Sequence, residues 1–461
     1  MVCCWRVASI ESKKSPQPGP GPTTLSALES YVGADRVRAA LLGARRITQR
    51  VRKLPLERVV VFVVAMSLFR SHSMEHLALM LGLASSAASA LSIASSSLVE
   101  ARDRVGSEPM RLLFNALASD IIQQQSVPTA RWRNLTLWAV DGSSLRVADS
   151  KENRKEFGGH SGGARGDSAY PLVRMVVLMA LSSRQIVQAA FGPFRKGELT
   201  LAQPIWGALP NNSLVIVDRN FYSASILHSI QSGGAQRHWL LRLKKNARYT
   251  IVKSLGNGDW LVKVLVSKSA KKKDSSLPDY YNTRVISYQI PGFRAQKLMT
   301  SLLDGVKFPA SEITGLYHLR WDIELGLDEI KTELLDRRES LRSRTPERVR
   351  QEIWGLFLAH NLVRTELCTI ARSLKLPPSR ISFIGVLRRI RVYCVVLIFI
   401  DDHDRSRQVG RYLAEIQSLV LRPRRSERSY PRAVKIKMSS YPKKRPPAST
   451  SDQRNMAEIA G

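Results

Sequence analysis

The chain has 461 residues, of which 71 are Lys or Arg and 38 are Asp or Glu, so its formal net charge is +33. Because 44% of the residues are hydrophobic and only 24% are charged, the chain can build packed cores, which excludes a basic disordered protein for most of its length. A folded surface with this excess of positive charge attracts polyanions, above all nucleic acid.

Two apolar runs, at residues 59–69 and 392–400, are too short to cross a bilayer, so we expect no membrane anchor. The first run predicts a core helix and the second a core strand. The N-terminus has no apolar stretch followed by a small-residue cleavage site. The four cysteines, at positions 3, 4, 368 and 394, form neither a disulfide framework nor a metal-binding pair. These features favour a reducing cytoplasm.

The N-terminal part of the chain is predicted to contain a tail and a helical domain. Residues 1–24 are rich in Pro, Gly, Ser and Lys and are expected to be disordered. Residues 25–125 are mostly helical in pattern, with Gly106 and Pro109 separating two helices near the end. Short helices joined by small-residue turns fit a helix-turn-helix DNA reader, and they fit plain bundle packing equally well.

Residues 130–340 are predicted to form an α/β core. Three strand-like runs are followed by a helix, a strand, a second helix and a strand. The first three strands are close enough in sequence to pair as hairpins, and the later strands alternate with helices, as parallel crossovers do. This is the strand and helix order of a ribonuclease-H-like core.

Two basic segments interrupt or follow this core. Residues 245–292 are predicted to be a β-rich insertion with a basic loop, KSAKKKDSS. Residues 341–420 are predicted to be a helical C-terminal region, in which Thr345 is a good N-cap and Pro346 and Glu347 suit the first helical turn. Residues 421–461 form a Pro-broken, basic tail that we expect to be disordered.

Two aspartates stand at matching places in the core, each directly after a buried-looking strand. Asp141 follows LTLWAV and Asp218 follows SLVIV. Ligands collect at the carboxyl ends of strands in α/β sheets, where a carboxylate can reach a metal ion. An ordinary turn is the alternative for either residue alone, because Asp141 is followed by Gly142. The matching positions of the two residues favour a functional role.

The segment YHLRWDIELGLDEIKTELL is predicted to be part of one long helix that starts near Ser311. At 100° per residue, four residues that bind phosphates or metals fall within roughly 60° of one another. These residues are Tyr317, Arg320, Glu324 and Lys331. The stripe that they form, about 21 Å long, can follow several phosphates along a duplex.

The spacing Tyr-x2-Arg-x3-Glu-x6-Lys, with AVDGSS around Asp141 and VIVDRNFYS around Asp218, resembles the signature of the insertion-sequence-four family of bacterial transposases. The resemblance covers nearly the whole chain, including ARDRVGSEP in the N-terminal region and SKENRKEFG after the first aspartate. Family members have a ribonuclease-H-like catalytic domain with a β-strand insertion. The resemblance therefore implies the same fold that the strand order predicts.

The resemblance implies a DDE transposase for cut-and-paste transposition, in which Asp141, Asp218 and Glu324 hold two Mg²⁺ ions, with Mn²⁺ as a substitute. Mg²⁺ prefers oxygen ligands, and two ions can activate the attacking oxygen and stabilise the leaving one in a displacement at phosphorus. Water would first attack at the transposon end. The freed 3′-OH would then attack the opposite strand, which gives a hairpin, or the target DNA.

The resemblance also implies partners and DNA contacts. The expected partner is double-stranded DNA, meaning the terminal inverted repeats and the target, bound by a homodimer in a synaptic complex at the bacterial nucleoid. The helices after Thr345 are the expected dimer interface. We expect the N-terminal domain to read the repeats. The residues implied to contact DNA in the catalytic domain are Tyr317, Arg320, Lys331 and Arg219.

The chain departs from the family pattern after the second aspartate. Many relatives have Arg-Gly-Phe-Tyr there, whereas this chain has Asn220 in place of the glycine. Asn tolerates a left-handed backbone better than most residues, so we expect the turn to be kept with a small strain.

Two other functions are compatible with parts of the sequence. His72, Glu75 and His76 match the HxxEH pattern of an inverted zinc peptidase, but short patterns recur by chance and no third ligand is indicated. A transposase-derived protein that binds transposon ends without cutting them is the second alternative. The three carboxylates argue against that alternative but do not exclude it.

Overall fold

The structure is a computed structural model. It describes residues 28–29, 32–46, 54–83, 93–125, 131–160, 168–244, 246–289, 294–336, 340–396 and 416–422. The predicted tail of residues 1–24 lies outside these ranges, as does the predicted tail of residues 421–461 apart from Leu421 and Arg422.

Helices precede and follow a large sheet in the described part of the chain. The α-helices are α1 (Ala34–Gly43), α2 (Leu56–Leu68), α3 (Met74–Met80), α4 (Ser95–Val105), α5 (Glu108–Gln125), α6 (Lys151–Phe157), α7 (Glu198–Leu201), α8 (Ala224–Ser232), α9 (Lys268–Lys273), α10 (Ala310–His318), α11 (Trp321–Asp328), α12 (Pro346–Ser373) and α13 (Phe383–Val396). The strands are β1 (Thr136–Val147), β2 (Leu172–Ala180), β3 (Ile186–Pro193), β4 (Ser213–Val217), β5 (Arg237–Arg242), β6 (Thr250–Gly256), β7 (Asp259–Leu265), β8 (Tyr280–Tyr288), β9 (Gln296–Thr300) and β10 (Ser340–Leu341).

The strands form one mixed sheet in the order β3-β2-β1-β4-β5-β9-β8-β7-β6, with the short β10 beside β1. The hairpins predicted for the first three strands are confirmed, because β1 pairs with β2 and β2 with β3 in antiparallel directions. The predicted crossovers are confirmed as well, since β1, β4 and β5 are parallel. The helices between these strands allow the chain to return to the same end of the sheet before each parallel strand.

The β-rich insertion extends this sheet. Strand β9 pairs antiparallel with β5, and β8, β7 and β6 follow outward as an antiparallel meander. The basic loop contains the short helix α9, which Ser267 caps by accepting a hydrogen bond from the Ala270 amide at 3.2 Å. The basic segment therefore lies on a strand scaffold that is continuous with the catalytic core.

Helix α12 is the main packing partner of the N-terminal helices. The side chains of α2 are hydrophobic on all sides and nearly all buried, as expected for a helix inside a core. Charged side chains reinforce this packing: Arg70 pairs with Glu352 at 2.9 Å, and Arg102 donates to Gln351 at 2.8 Å. All four residues are buried. The N-terminal helices and α12 thus share one core.

One local prediction for the C-terminal region is wrong, and the predicted helix start at Thr345 is confirmed. The run predicted as a strand belongs to α13 from Val392 to Val396, because the helix that starts at Phe383 continues through it. Residues 397–400 of this run lie outside the described residues. Thr345 occupies the N-cap position of α12, but its side chain accepts no capping hydrogen bond. Among the described helices, none is long and apolar enough to span a membrane.

Candidate active site

The two predicted aspartates lie next to each other where two parallel strands separate. Strands β1 and β4 pair from Thr136 opposite Ser213 to Val140 opposite Val217. Because β4 ends at Val217, Asp141 and Asp218 are the next residues of the two strands. All residues of β4 are buried, so this strand is covered on both faces, as is typical of a parallel strand inside a sheet.

Asp141 lies within β1 and not at its end. The strand continues to Val147 and pairs with β2 past this residue, so the predicted strand end at Val140 is wrong and the alternative of an Asp-Gly turn is excluded. The Gly142 amide donates a hydrogen bond to Oδ1 of Asp141 at 2.8 Å. A Cβ atom at Gly142 would lie 2.5 Å from Cδ of Glu198, so the Glu198 side chain packs directly over this glycine.

The predicted single helix from Ser311 onward is interrupted twice. Helix α10 ends at His318, and a tight turn through Leu319 and Arg320 separates it from α11. After Asp328 the backbone forms a wider π-helical segment from Glu329 to Leu334. Lys331 lies in this segment, so the angle calculated for a regular α-helix does not apply to it.

Arg320 joins two of the three predicted catalytic carboxylates. Its guanidinium lies 2.6 Å from Oε1 of Glu324 and 3.9 Å from Oδ2 of Asp141. The Arg320 side chain is only 15% exposed, whereas Asp141 and Glu324 are 21% and 34% exposed. The tight turn before α11 brings the guanidinium into this position, between the end of the sheet and the helix.

The charges of the other two predicted carboxylates act on Asp141. Burial raises the pKa of the Asp141 carboxyl to about 6, and the charges of Glu324 and Asp218 raise it further. The Gly142 amide and Arg320 act in the opposite direction and lower this pKa. The burial of Asp141 therefore outweighs the amide and the guanidinium that lower its pKa.

Tyr317 and Arg242 border the same site. Burial raises the pKa of the Tyr317 phenol to about 12, and the charges near it include Arg320, Asp218 and Arg242. The phenol therefore stays protonated and can donate a hydrogen bond to a phosphate. Arg242 is the last residue of β5. Sequence reasoning missed it, although its place at the end of the parallel strand next to β4 was an available signal.

The chemistry of the carboxylate group fits a divalent cation. Carboxylate oxygens are the ligands that Mg²⁺ prefers, and the raised pKa of Asp141 marks a place where added positive charge is favourable. In the described part of the chain, no three acidic, His or Cys side chains are grouped closely enough to hold a metal ion as they stand. The Arg320 guanidinium lies between Asp141 and Glu324, so a metal at this place requires it to move.

The other two residues predicted to contact DNA each follow one of the carboxylates along the chain. Arg219 is exposed in the short 3-10 turn that follows Asp218, while Lys331 is half-buried in the π-helical segment. The prediction of a left-handed backbone at Asn220 is wrong. Among the described non-glycine residues, those with a positive φ angle do not include Asn220. Asn220 instead belongs to the 3-10 turn.

Trp321 is a surface aromatic residue that sequence reasoning did not single out. Its side chain is 49% exposed, and the Arg320 guanidinium lies 5.5 Å from the centre of its ring. An exposed indole beside a cluster of charged groups can stack on a base or support the guanidinium. Its position directly after Arg320 at the start of α11 was the available signal.

The HxxEH pattern does not form a peptidase site in this structure. Helix α3 starts at Met74, so His72 precedes the helix, and its ring stacks on that of His76 at a centroid distance of 5.0 Å. Hydrogen bonds from Ser95 and Ser73 lower the pKa of the Glu75 carboxyl and occupy it. The histidines also lie outside the region that contains the three carboxylates.

Two family models match this chain. The model described as "Transposase DDE domain" matches residues 132–362, which span the sheet, α10, α11 and much of α12. The model described as "Insertion element 4 transposase N-terminal" matches residues 22–115, which span most of the N-terminal helices. Together the two matched ranges contain all three predicted catalytic carboxylates and the helices that pack on α12.

Curated relatives and a solved structure show further likeness. The Transposase InsG for insertion sequence element IS4 of Escherichia coli (strain K12) is 34% identical over 91% of this chain and 93% of that protein. The Putative transposase InsZ of the same strain is 29% identical over 51% of this chain and 77% of that protein. A piggyBac transposase synaptic complex with hairpin DNA superposes with a TM-score of 0.41 and 11% identity, covering 88% of this chain and 87% of that one.

Proposed function

The chain belongs to the DDE transposases of the insertion-sequence-four (IS4) family, as its sequence predicts, and we propose that Asp141, Asp218 and Glu324 are its catalytic residues. The family makes it a metal-dependent enzyme that cleaves DNA and transfers DNA strands. The observation that supports the assignment is the arrangement around Asp141: Asp218 follows the strand paired with β1, and the charges of Glu324 and Asp218 both act on the Asp141 carboxyl.

We assign the metal-binding role to the same three carboxylates, on a ribonuclease-H-like core. Two Mg²⁺ ions, or Mn²⁺ in their place, would activate the attacking oxygen and stabilise the leaving oxygen at phosphorus. The protein contributes a partly buried position within β1, where burial raises the pKa of the Asp141 carboxyl to about 6. It also contributes the rigid register of β1 and β4, which holds Asp141 and Asp218 at a fixed separation.

The remaining polar groups are proposed to hold the phosphates of the DNA end. Arg320 pairs with Glu324 and lies 3.9 Å from Asp141 in this structure, and its guanidinium would contact a phosphate if metal ions held these carboxylates. Tyr317 donates a hydrogen bond from a phenol that stays protonated. Lys331, Arg219 and the newly recognised Arg242 add positive charge around the same end of the sheet.

Strand transfer and assembly follow the family pattern in this proposal. A freed 3′-OH attacks the opposite strand, which forms a hairpin and releases the flanking DNA. Water then opens the hairpin and regenerates the 3′-OH, which attacks the target DNA, and the N-terminal helices read the inverted repeats. A homodimer brings two ends together at the bacterial nucleoid. Because most of α12 is buried within the chain, we place the dimer contact on α13, where Val392 is 61% exposed.

A cleavage assay tests the catalytic assignment. The full chain is incubated with a DNA duplex that carries the element's terminal inverted repeat, with and without Mg²⁺. We expect metal-dependent nicking by the parent and none by Glu324→Gln, while both proteins bind the repeat equally well. Nicking by the Gln variant at the parental rate would show that the assignment is wrong. Binding without nicking by the parent would identify a DNA-binding derivative instead.

A further inference from the structure

A buried arginine outside the carboxylate site joins both ends of the helix that carries Glu324. Arg184 lies in the turn between β2 and β3, and its side chain is 12% exposed. Its Nε donates to Oδ1 of Asp322 at 3.0 Å, and a second nitrogen donates to Oε1 of Glu329 at 3.1 Å. Asp322 is the second residue of α11, and Glu329 immediately follows its end.

We propose that Arg184 is a positioning residue that fixes the direction of Glu324 by holding α11 at these two points, an inference that rests on the proposed function. Asp322 and Glu329 are seven residues apart and therefore lie on nearly the same side of a helix. Glu324 points away from that side by about 160°, at 100° per residue. The arginine thus holds the back of the helix, and the carboxylate projects from its front.

The turn that carries Arg184 is itself firmly attached to α12. The Asn361 side chain accepts a hydrogen bond from the Ile186 amide at 2.8 Å and donates one to the Ile186 carbonyl at 2.7 Å. Gln185 donates to Thr365 at 2.8 Å. Arg184 has a backbone φ of +57°, a conformation that is uncommon for residues other than glycine. Such a conformation persists where surrounding contacts impose it, as they do here.

Close packing on the same side leaves α11 little freedom to shift towards the sheet. A Cβ atom at Gly326 would lie 2.5 Å from Cε of Met179, so the helix backbone touches the end of β2. Glu329 is also held by Arg364, whose Nε donates to it at 2.8 Å, and by His360 at 3.3 Å. Without Arg184, the Asp322 end of α11 would lose its buried cation, while the Glu329 end would keep Arg364. We therefore expect the helix to tilt at the end nearer Glu324.

The test compares two buried arginines of the same sheet. Arg184→Gln removes the proposed positioning contact. Arg284→Gln is the matched control, because Arg284 is also buried and pairs with a carboxylate, Asp259, in the insertion. For each variant and the parent, Mn²⁺ affinity is measured by electron paramagnetic resonance on the full chain bound to repeat DNA. Melting temperature, repeat affinity and nicking rate are measured in parallel.

Groups that orient metal ligands typically contribute roughly 10–100-fold to metal affinity or activity. We expect Arg184→Gln to weaken Mn²⁺ binding by about this factor with unchanged repeat affinity, and Arg184→Lys to recover part of it. Arg284→Gln is expected to lower the melting temperature without changing Mn²⁺ affinity. Equal Mn²⁺ affinity in the parent and Arg184→Gln would overturn the proposal.

Two further measurements keep the outcome decisive. If Arg184→Gln does not fold, Asp322→Asn removes the same contact from the other side: weaker Mn²⁺ binding supports the proposal, and parental binding overturns it. Glu324→Gln separates this inference from the proposed function. If that variant binds Mn²⁺ as tightly as the parent does, the assignment of Glu324 fails, whereas an unchanged Arg184→Gln beside a weakened Glu324→Gln refutes only the role of Arg184.

Discussion

The carboxylate site and the α12 interface use the same residue types in opposite ways. At the site, burial and neighbouring carboxylates raise the pKa of Asp141 to about 6. At the interface, burial also acts to raise the pKa of Glu329, but Arg364 and His360 outweigh it and the pKa falls to about 2. Arg184 adds a second guanidinium on Glu329. A buried carboxyl with several cations stabilises the fold, while one without enough of them is poised to accept a cation.

The largest expected effect of this contrast is on catalysis at Asp141. Asp141→Asn is expected to lower the nicking rate by about 10³-fold, because several kcal/mol of transition-state stabilisation depend on the metal ligands. The same change removes an unfavourable buried charge, so we expect the melting temperature to rise by roughly 2–4 °C. Single-turnover nicking and differential scanning calorimetry check the two parts. A variant that unfolds at lower temperature would show that the Asp141 charge is already compensated.

Glu329→Gln should lower the stability of the fold, in contrast to Asp141→Asn. Removing this charge leaves Arg364, whose side chain is 2% exposed, without its carboxylate partner. Breaking a buried ion pair in this way typically costs about 3–5 kcal/mol of unfolding free energy. Urea unfolding of the parent and the variant measures the loss. A change within experimental error would mean that the buried network contributes nothing net.

Acid should remove the stabilisation that the Glu329 carboxylate provides, because this group becomes protonated at low pH. A Gln at the same position does not titrate, so its contribution should not change. The pKa of Glu329 is about 2 in the folded chain, below its usual value. Its stabilisation is therefore fully present above about pH 5 and is lost as the pH falls towards 2. We expect the difference in unfolding free energy between the parent and Glu329→Gln to shrink over this range. A difference that stays constant from pH 5 to pH 2 would exclude the lowered pKa.

An exposed ion pair at the same interface should matter least. Arg348 pairs with Asp103, whose side chain is 47% exposed, although both residues join α12 to α4 just as the buried pairs do. Solvent screening limits such pairs to about 0–1 kcal/mol. Arg348→Gln is therefore expected to change the urea midpoint only slightly, and less in high salt. If Arg348→Gln destabilises the protein as much as Glu329→Gln does, burial is not the reason for the contrast.

The sequence alone predicts the arrangement of the core well, because its signals are local. The apolar runs before Asp141 and Asp218 mark two strands, and the helix between them implies that the strands are parallel. The family signature then selects Glu324. These residues could be identified because each follows or lies within a strongly patterned segment.

What escaped sequence analysis depends on contacts between distant segments. The turn at Leu319–Arg320 and the π-helical segment after Asp328 interrupt a pattern that looks like one regular helix. The contacts around them come from β2, the Arg184 turn and α12, none of which is visible in the local sequence. The strand prediction for the run at Val392 is wrong for a similar reason. β-branched residues favour strands, but the surrounding structure can override this preference, and here a preceding helix continues through the run.

The most direct test of the central claim locates the metal without relying on DNA cleavage. Fe²⁺ replaces Mg²⁺ in the full chain, and ascorbate and peroxide generate hydroxyl radicals that cut the protein backbone near the bound ion. We predict cuts close to Asp141, Asp218 and Glu324, and their loss when the three residues are changed to Asn, Asn and Gln. Cuts that map elsewhere, or that persist in the triple variant, would contradict the assignment of these carboxylates as the metal site.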